Sequence, residues 1–142
     1  MSRKEILKIA VTVNGAEEVK GKTGEAVMIR FGGTCDTEFF HGKILAGGVD
    51  TQQERYPDPR AMSARYMLEG TDYAGQTCRI FIENLGTPVP DAGDLVTRPA
   101  IFTDSEALSW LETAHLSGLL TPMEGGLYVH IFAEEADVCV PL

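Results

Sequence analysis

Asp50, Arg65, Tyr66, Glu69, Glu83 and Asn84 form the strongest constellation of reactive side chains in the chain. Arg65 carries a rigid fork of N–H donors that pairs bidentately with a carboxylate or an enolate. A carboxylate such as Glu83 or Asp50, taken out of water in a barrel mouth, keeps its proton to higher pH and can serve as general acid or base. Tyr66 or Asn84 can donate to the charge that develops on a carbonyl oxygen. This gives catalytic roles to Glu83, Asp50 and Arg65, and ligand-binding roles to Tyr66, Glu69, Phe81, Asn84 and His130. Arg65 and Tyr66 are neighbours, so on a regular strand they point to opposite faces and reach one pocket only across a bulge. A plainer reading stands beside this one: Arg65 and Glu83 as a cross-strand ion pair, worth about 0.2–1 kcal/mol when exposed.

Other chemistries find less support. His41, His115 and His130 are far apart and form no His-x-His or His-x-x-x-His pattern, so no metal site is expected. Serine-nucleophile, dinucleotide and P-loop motifs are absent, and no cofactor is expected. Cys35, Cys78 and Cys139 are scattered without a Cys-x-x-Cys pair, as suits reduced thiols.

The elements that must position these groups read mainly as short strands. Alternation or β-favouring residues mark Lys4–Val13, Glu25–Cys35, Phe39–Ala46, Ala61–Gly70, Thr77–Asn84, Leu95–Phe102 and Leu127–Ala133, with a further short strand near Leu119–Pro122. Asn14-Gly15 reads as a turn, Ala16–Gly24 as a loop, and Val49–Arg60, with its Pro57-Asp58-Pro59, as a long exposed loop. The phase of the first strand is imperfect around Ile6 and Leu7. Thr103-Asp104-Ser105-Glu106 fits a capping box, and Ala107, Leu108, Leu111 and Ala114 recur at helical spacing behind it. A helix over about 104–116 is therefore predicted.

About eight antiparallel strands with one late helix favour a closed or nearly closed β-barrel, with a sandwich as the alternative. On the Ala61–Gly70 strand one face carries Met62, Ala64, Tyr66 and Leu68, and the other Ser63, Arg65, Met67 and Glu69. Either the charged face looks to solvent, or it lines a polar cavity.

The 142 residues amount to a single domain spanning 1–142. A formal net charge of -9 disfavours nucleic acid and anionic membrane surfaces as partners. No apolar run is long enough for a spanning helix and no signal core follows the charged N-terminus, which predicts a cytoplasmic protein. A small-molecule ligand is the expected partner, with a homo-oligomer left open.

The runs Gly42–Asp50, Ser63–Asp72 and Ile82–Gly86, followed by Pro99–Thr103, Trp110-Leu111 and Gly125–Val129, together resemble the bacterial family known as domain of unknown function 3237. The resemblance covers nearly the whole chain from about Gly24 onward. It implies a compact up-and-down β-barrel with a helix packed against one end, and no established reaction. Asp50, Arg65-Tyr66 and the Asn84-x-Gly86 turn match that family, whereas Thr51 stands where its Gly-Gly-x-Asp-Trp element has tryptophan.

The resulting expectation is a barrel that binds an apolar or aromatic metabolite, with isomerase, cyclase or dehydratase chemistry run by acid–base groups alone. The alternative is a filled, non-catalytic barrel that serves as an oligomerisation module or partner subunit. A cavity of about 300 Å³ or more lined by Arg65, Glu69, Glu83 or His130 would favour the first.

Overall fold

A computed structural model of the chain describes residues 2–88 and 94–139. Nine strands run through it: β1 Arg3–Lys20, β2 Gly24–Asp36, β3 Phe40–Ile44, β4 Val49–Arg55, β5 Ala61–Asp72, β6 Thr77–Gly86, β7 Leu95–Thr103, β8 Leu116–Met123 and β9 Gly126–Glu134. All pair antiparallel in the order β1-β9-β8-β7-β6-β5-β3-β2-β4, and β1–β2 and β4–β5 pairings close the sheet into a barrel-like ring. Closure leaves no long open edge, so the interior is the natural place for apolar side chains.

β3 and β4 share one position in the ring. β3 joins β2 at Thr34–Asp36 to β5 at Leu68–Asp72, while β4 joins β2 at Gly24–Arg30 to β5 at Ala61–Arg65. Val49–Arg55 is therefore a strand, where the sequence predicts a loop. Its polar run Asp50-Thr51-Gln52-Gln53 conceals the strand because two of those residues face the barrel interior and the others face out, so neither side shows an apolar stripe.

The first strand also exceeds its prediction. It continues through Asn14-Gly15, where the pairing with β2 shifts register, and runs on to Lys20. A second register shift against β9, between Glu5 and Leu7, accounts for the imperfect phase. The extra residue lets Ile6 and Leu7 both be fully buried despite being neighbours.

No α-helix forms over 104–116, nor anywhere among the described residues. Two short 3-10 turns occur instead, Ser109–Glu112 and Glu135–Asp137. The capping-box residues are engaged elsewhere: the Thr103 hydroxyl donates to the Arg79 carbonyl at 2.7 Å, and the Thr103 amide donates to Glu112 rather than Glu106, at 3.0 Å. The Ser105 hydroxyl accepts from the Leu108 amide at 3.0 Å and donates to Asp72 at 2.7 Å. With these side chains competing for the backbone, an apolar stripe this short does not sustain a helix. It still buries Leu108 and Leu111 against the core.

That segment closes one end of the ring. Leu7, Ile9, Phe40, Leu68, Ile80 and Ile131 fill this end completely. Gly70 makes the tight packing possible where β5 meets β3, since a Cβ there would lie 1.9 Å from the His41 carbonyl oxygen.

Candidate functional site

Toward the other end the ring is hollow. A cavity of about 380 Å³ lies there, opening where β4 turns into β5 and β8 into β9. Its walls are mostly apolar, with Val11, Ile29, Phe31, Met62, Leu120 and Leu127 among them.

Strand register brings its polar groups together on one wall. Asp50 on β4 is paired with Ala64 on β5, and Ala64 with Asn84 on β6. Paired residues in an antiparallel sheet point to the same face, so Asp50, Ala64 and Asn84 form one inward row about 10 Å across. Tyr66 lies two residues beyond Ala64 on the same face, about 7 Å deeper. Its ring meets Phe31 edge-on, with centroids 5.2 Å apart, and these two rings floor the cavity. The small side chain of Ala64 leaves the space that the polar groups border.

Each of these three residues has a buried oxygen without a partner: Asp50 Oδ1, Tyr66 Oη and Asn84 Oδ1. Buried polar atoms in folded proteins are nearly always paired. Among the described residues the other unpaired ones are Ser63 Oγ, Thr97 Oγ1 and Trp110 Nε1, and only Asp50, Tyr66 and Asn84 belong to the cavity wall. Asp50 Oδ2 is held, accepting from Gln52 Nε2 at 2.8 Å. Burial raises the Asp50 carboxyl above its ordinary value, and the Gln52 hydrogen bond offsets part of that rise. Burial also pushes the Tyr66 phenol upward, so it remains an O–H donor. Such a site can offer a proton from the carboxyl, a phenol donor and an amide.

The eight residues singled out from the sequence divide by face. Asp50, Tyr66 and Asn84 border the cavity. Arg65, Glu69, Glu83, Phe81 and His130 do not, and this corrects the expectation that they line it. Arg65 pairs with Glu83 at 2.9 Å, and Arg79 with Glu69 at 2.9 Å, both on the outer surface. Phe81 stacks on exposed Phe102, with centroids 6.4 Å apart. His130 is held between Thr121 Oγ1 at 2.9 Å and Glu5 Oε1 at 2.5 Å. Of the two readings of the charged strand face, the structure shows the one that looks to solvent. Its physical cause is parity: every residue adjacent to an inward one on β5 and β6 must face out.

Sequence reasoning missed Gln52, hidden in the supposed loop, and Thr97, whose buried hydroxyl is also unpartnered. Thr97 lies against Gly118, where a Cβ would meet its Oγ1 at 2.1 Å. The one available signal was Ala64, a small residue between Met62 and Tyr66 on an otherwise bulky face. Among the described residues, ligand-type atoms also converge at His115, Glu134 and Asp137. There the His115 ring and amide both bond Asp137, at 2.9 Å each, as an exposed ion pair.

Cys35 and Cys78 are buried. Burial pushes the Cys35 thiol up to about 11, so it stays protonated and inert at neutral pH.

The fold and cavity place the chain among small β-barrel-like proteins. No family model matches it. It is 29% identical over 138 residues to a UPF0311 protein of Clostridium acetobutylicum, covering 93% of this chain and 83% of that one. A crystal structure of a protein of unknown function from the same organism superposes with a TM-score of 0.76 at 22% identity, covering 95% of this chain and 100% of that one. A β-barrel-like protein from Acinetobacter baumannii gives 0.67 at 18% identity, over 93% and 94% of the two chains. An enzyme from Penicillium herquei gives 0.70 at 13% identity, over 94% of each chain. The chain is thus a distant homologue of a UPF0311 protein and shares its architecture with proteins of unknown function.

Proposed function

We propose that the barrel takes a small, largely apolar or aromatic metabolite into its cavity and moves a proton on it, as an isomerase, cyclase or dehydratase would. Asp50 is the group that gives and takes the proton. The Tyr66 hydroxyl and the N–H of the Asn84 amide donate to the oxygen on which charge develops, and Gln52 holds the carboxyl in place. The observation that carries this reading is that three residues of one wall of an otherwise apolar cavity, Asp50, Tyr66 and Asn84, each keep a buried oxygen with no partner among the described residues. A carboxyl raised by burial is suited to acid–base work near neutral pH. The Penicillium herquei neighbour supports the reading to the extent that a barrel of this shape accommodates an enzyme. Membership in the family called domain of unknown function 3237 is part of the same proposal.

A non-catalytic barrel is the second reading. Its support is that one end is packed solid and that Arg65, Glu69, Glu83 and His130 all lie outside the cavity.

Deuterium incorporation separates the two. In D₂O, the wild-type protein should accelerate exchange at the enolisable carbon of a neutral cyclic ketone such as tetralone, followed by proton NMR. Asp50→Asn should lose at least about tenfold of that acceleration, within the range expected for one general acid–base group. Ketone binding without any acceleration in the wild type would favour the non-catalytic barrel.

A further inference from the structure

We propose that the cavity selects uncharged, oxygen-bearing molecules and turns away anions of the same size and shape. The inference rests on the cavity being a ligand site and adds the charge class of what enters it.

Among the described residues, none that lines the cavity is Lys, Arg or His. Two arginines that neighbour lining residues in sequence point outward and are already paired: Arg65, between Ala64 and Tyr66, with Glu83, and Arg30, between Ile29 and Phe31, with Glu17. An entering carboxylate or phosphate would lose its water and meet apolar walls with no cation to replace it. The polar wall suits a neutral oxygen better. Gln52 donates to Asp50 Oδ2, so whenever the carboxyl carries its proton that proton sits on Oδ1. Oδ1 and Tyr66 Oη then present O–H donors to a carbonyl or hydroxyl oxygen, and the Asn84 amide serves a hydroxyl in either orientation. An anion would also be repelled by Asp50 whenever that carboxyl is ionised, and the chain as a whole carries -9. At the density of protein interiors, 380 Å³ accommodates roughly 280 Å³ of ligand atoms, ample for a fused two-ring skeleton.

Naphthol and naphthoate make a matched pair, since at neutral pH a phenol keeps its proton and a carboxylic acid does not. Titration calorimetry at pH 7 should show naphthol binding at least tenfold more tightly than naphthoate. Acidification to pH 4, where naphthoate begins to take up its proton, should narrow the gap. Naphthoate binding as tightly as naphthol at pH 7 overturns the charge selection while leaving the cavity as a ligand site. Binding of neither overturns both. Ala64→Leu, or the milder Ala64→Val should the first not fold, should weaken naphthol at least tenfold by filling the gap between Asp50 and Asn84. Unchanged affinity in a folded variant would put the ligand outside the cavity and end the proposal.

Discussion

Asp50 and Asn84 stand on opposite sides of Ala64 in one inward row across β4, β5 and β6, each with a buried oxygen that no group among the described residues satisfies. The methyl group between them keeps the wall low enough for a ligand to reach both. Stability alone would favour a larger apolar residue at position 64 and apolar partners beside it, because each unpaired buried oxygen costs about 1–3 kcal/mol. The arrangement therefore points to use of the wall.

Asp50→Asn should stabilise the protein at neutral pH. Burial raises the folded carboxyl above its ordinary value of 3.8, so the folded state binds more protons than the unfolded one between that value and the raised one. Wild-type stability then falls as pH rises through this window, and the penalty persists above it. Thermal melts should show the variant gaining on the wild type toward pH 8 and converging with it below pH 3.8. A constant difference across the range would mean that ionisation of Asp50 is not the cause.

Tyr66→Phe removes a buried hydroxyl that makes no hydrogen bond while keeping the ring against Phe31. Its denaturation midpoint should equal or exceed that of the wild type, whereas exchange of tetralone protons should slow. A loss of more than about 1 kcal/mol would show that the hydroxyl has a structural partner, since removal of an unpaired one is near neutral or favourable.

Arg65→Ala and Glu83→Gln affect an outer-surface pair in which Arg65 is more than half exposed. Each should cost less than about 1 kcal/mol. Binding of naphthol should be unaffected in both. A tenfold loss of affinity in either would place the pair at the ligand after all.

Ser105→Ala takes away the hydroxyl that donates to Asp72 and accepts from the Leu108 amide. The expected loss is about 1–3 kcal/mol, since the carboxylate and the amide both lose their partner. Burial pushes Asp72 upward, but hydrogen bonds from Ser105 and from the backbone amides of Gln76, Ala74 and Gly75 more than offset it and leave the carboxyl lowered. A lowered carboxyl contributes stability above its unfolded value, lost as pH falls through the folded one. The variant should accordingly unfold at a higher pH than the wild type in an acid titration followed by circular dichroism.

The sequence by itself determined the strands and much of their facing. Alternation on Ala61–Gly70 and Thr77–Asn84 put Tyr66 with Ala64 and Asn84 with Ile82, because side chains change face at every residue whatever surrounds them. Glycines and prolines placed most turns. The same rule separated Arg65 from Tyr66, though it left open which face was the interior.

That choice belonged to tertiary structure. A strand such as β4 carries no apolar stripe when one of its faces borders a polar wall, so Asp50 and Gln52 acquire their meaning only once closure of the ring puts them inside. The 104–116 segment shows the converse: its helical spacing is real, but Thr103, Ser105 and Glu112 find partners on β6, on Asp72 and within the segment itself that outcompete a helix too short to hold. Local pattern fixes direction along the chain, while the pairing of distant strands decides what each direction faces and whether a space is left there.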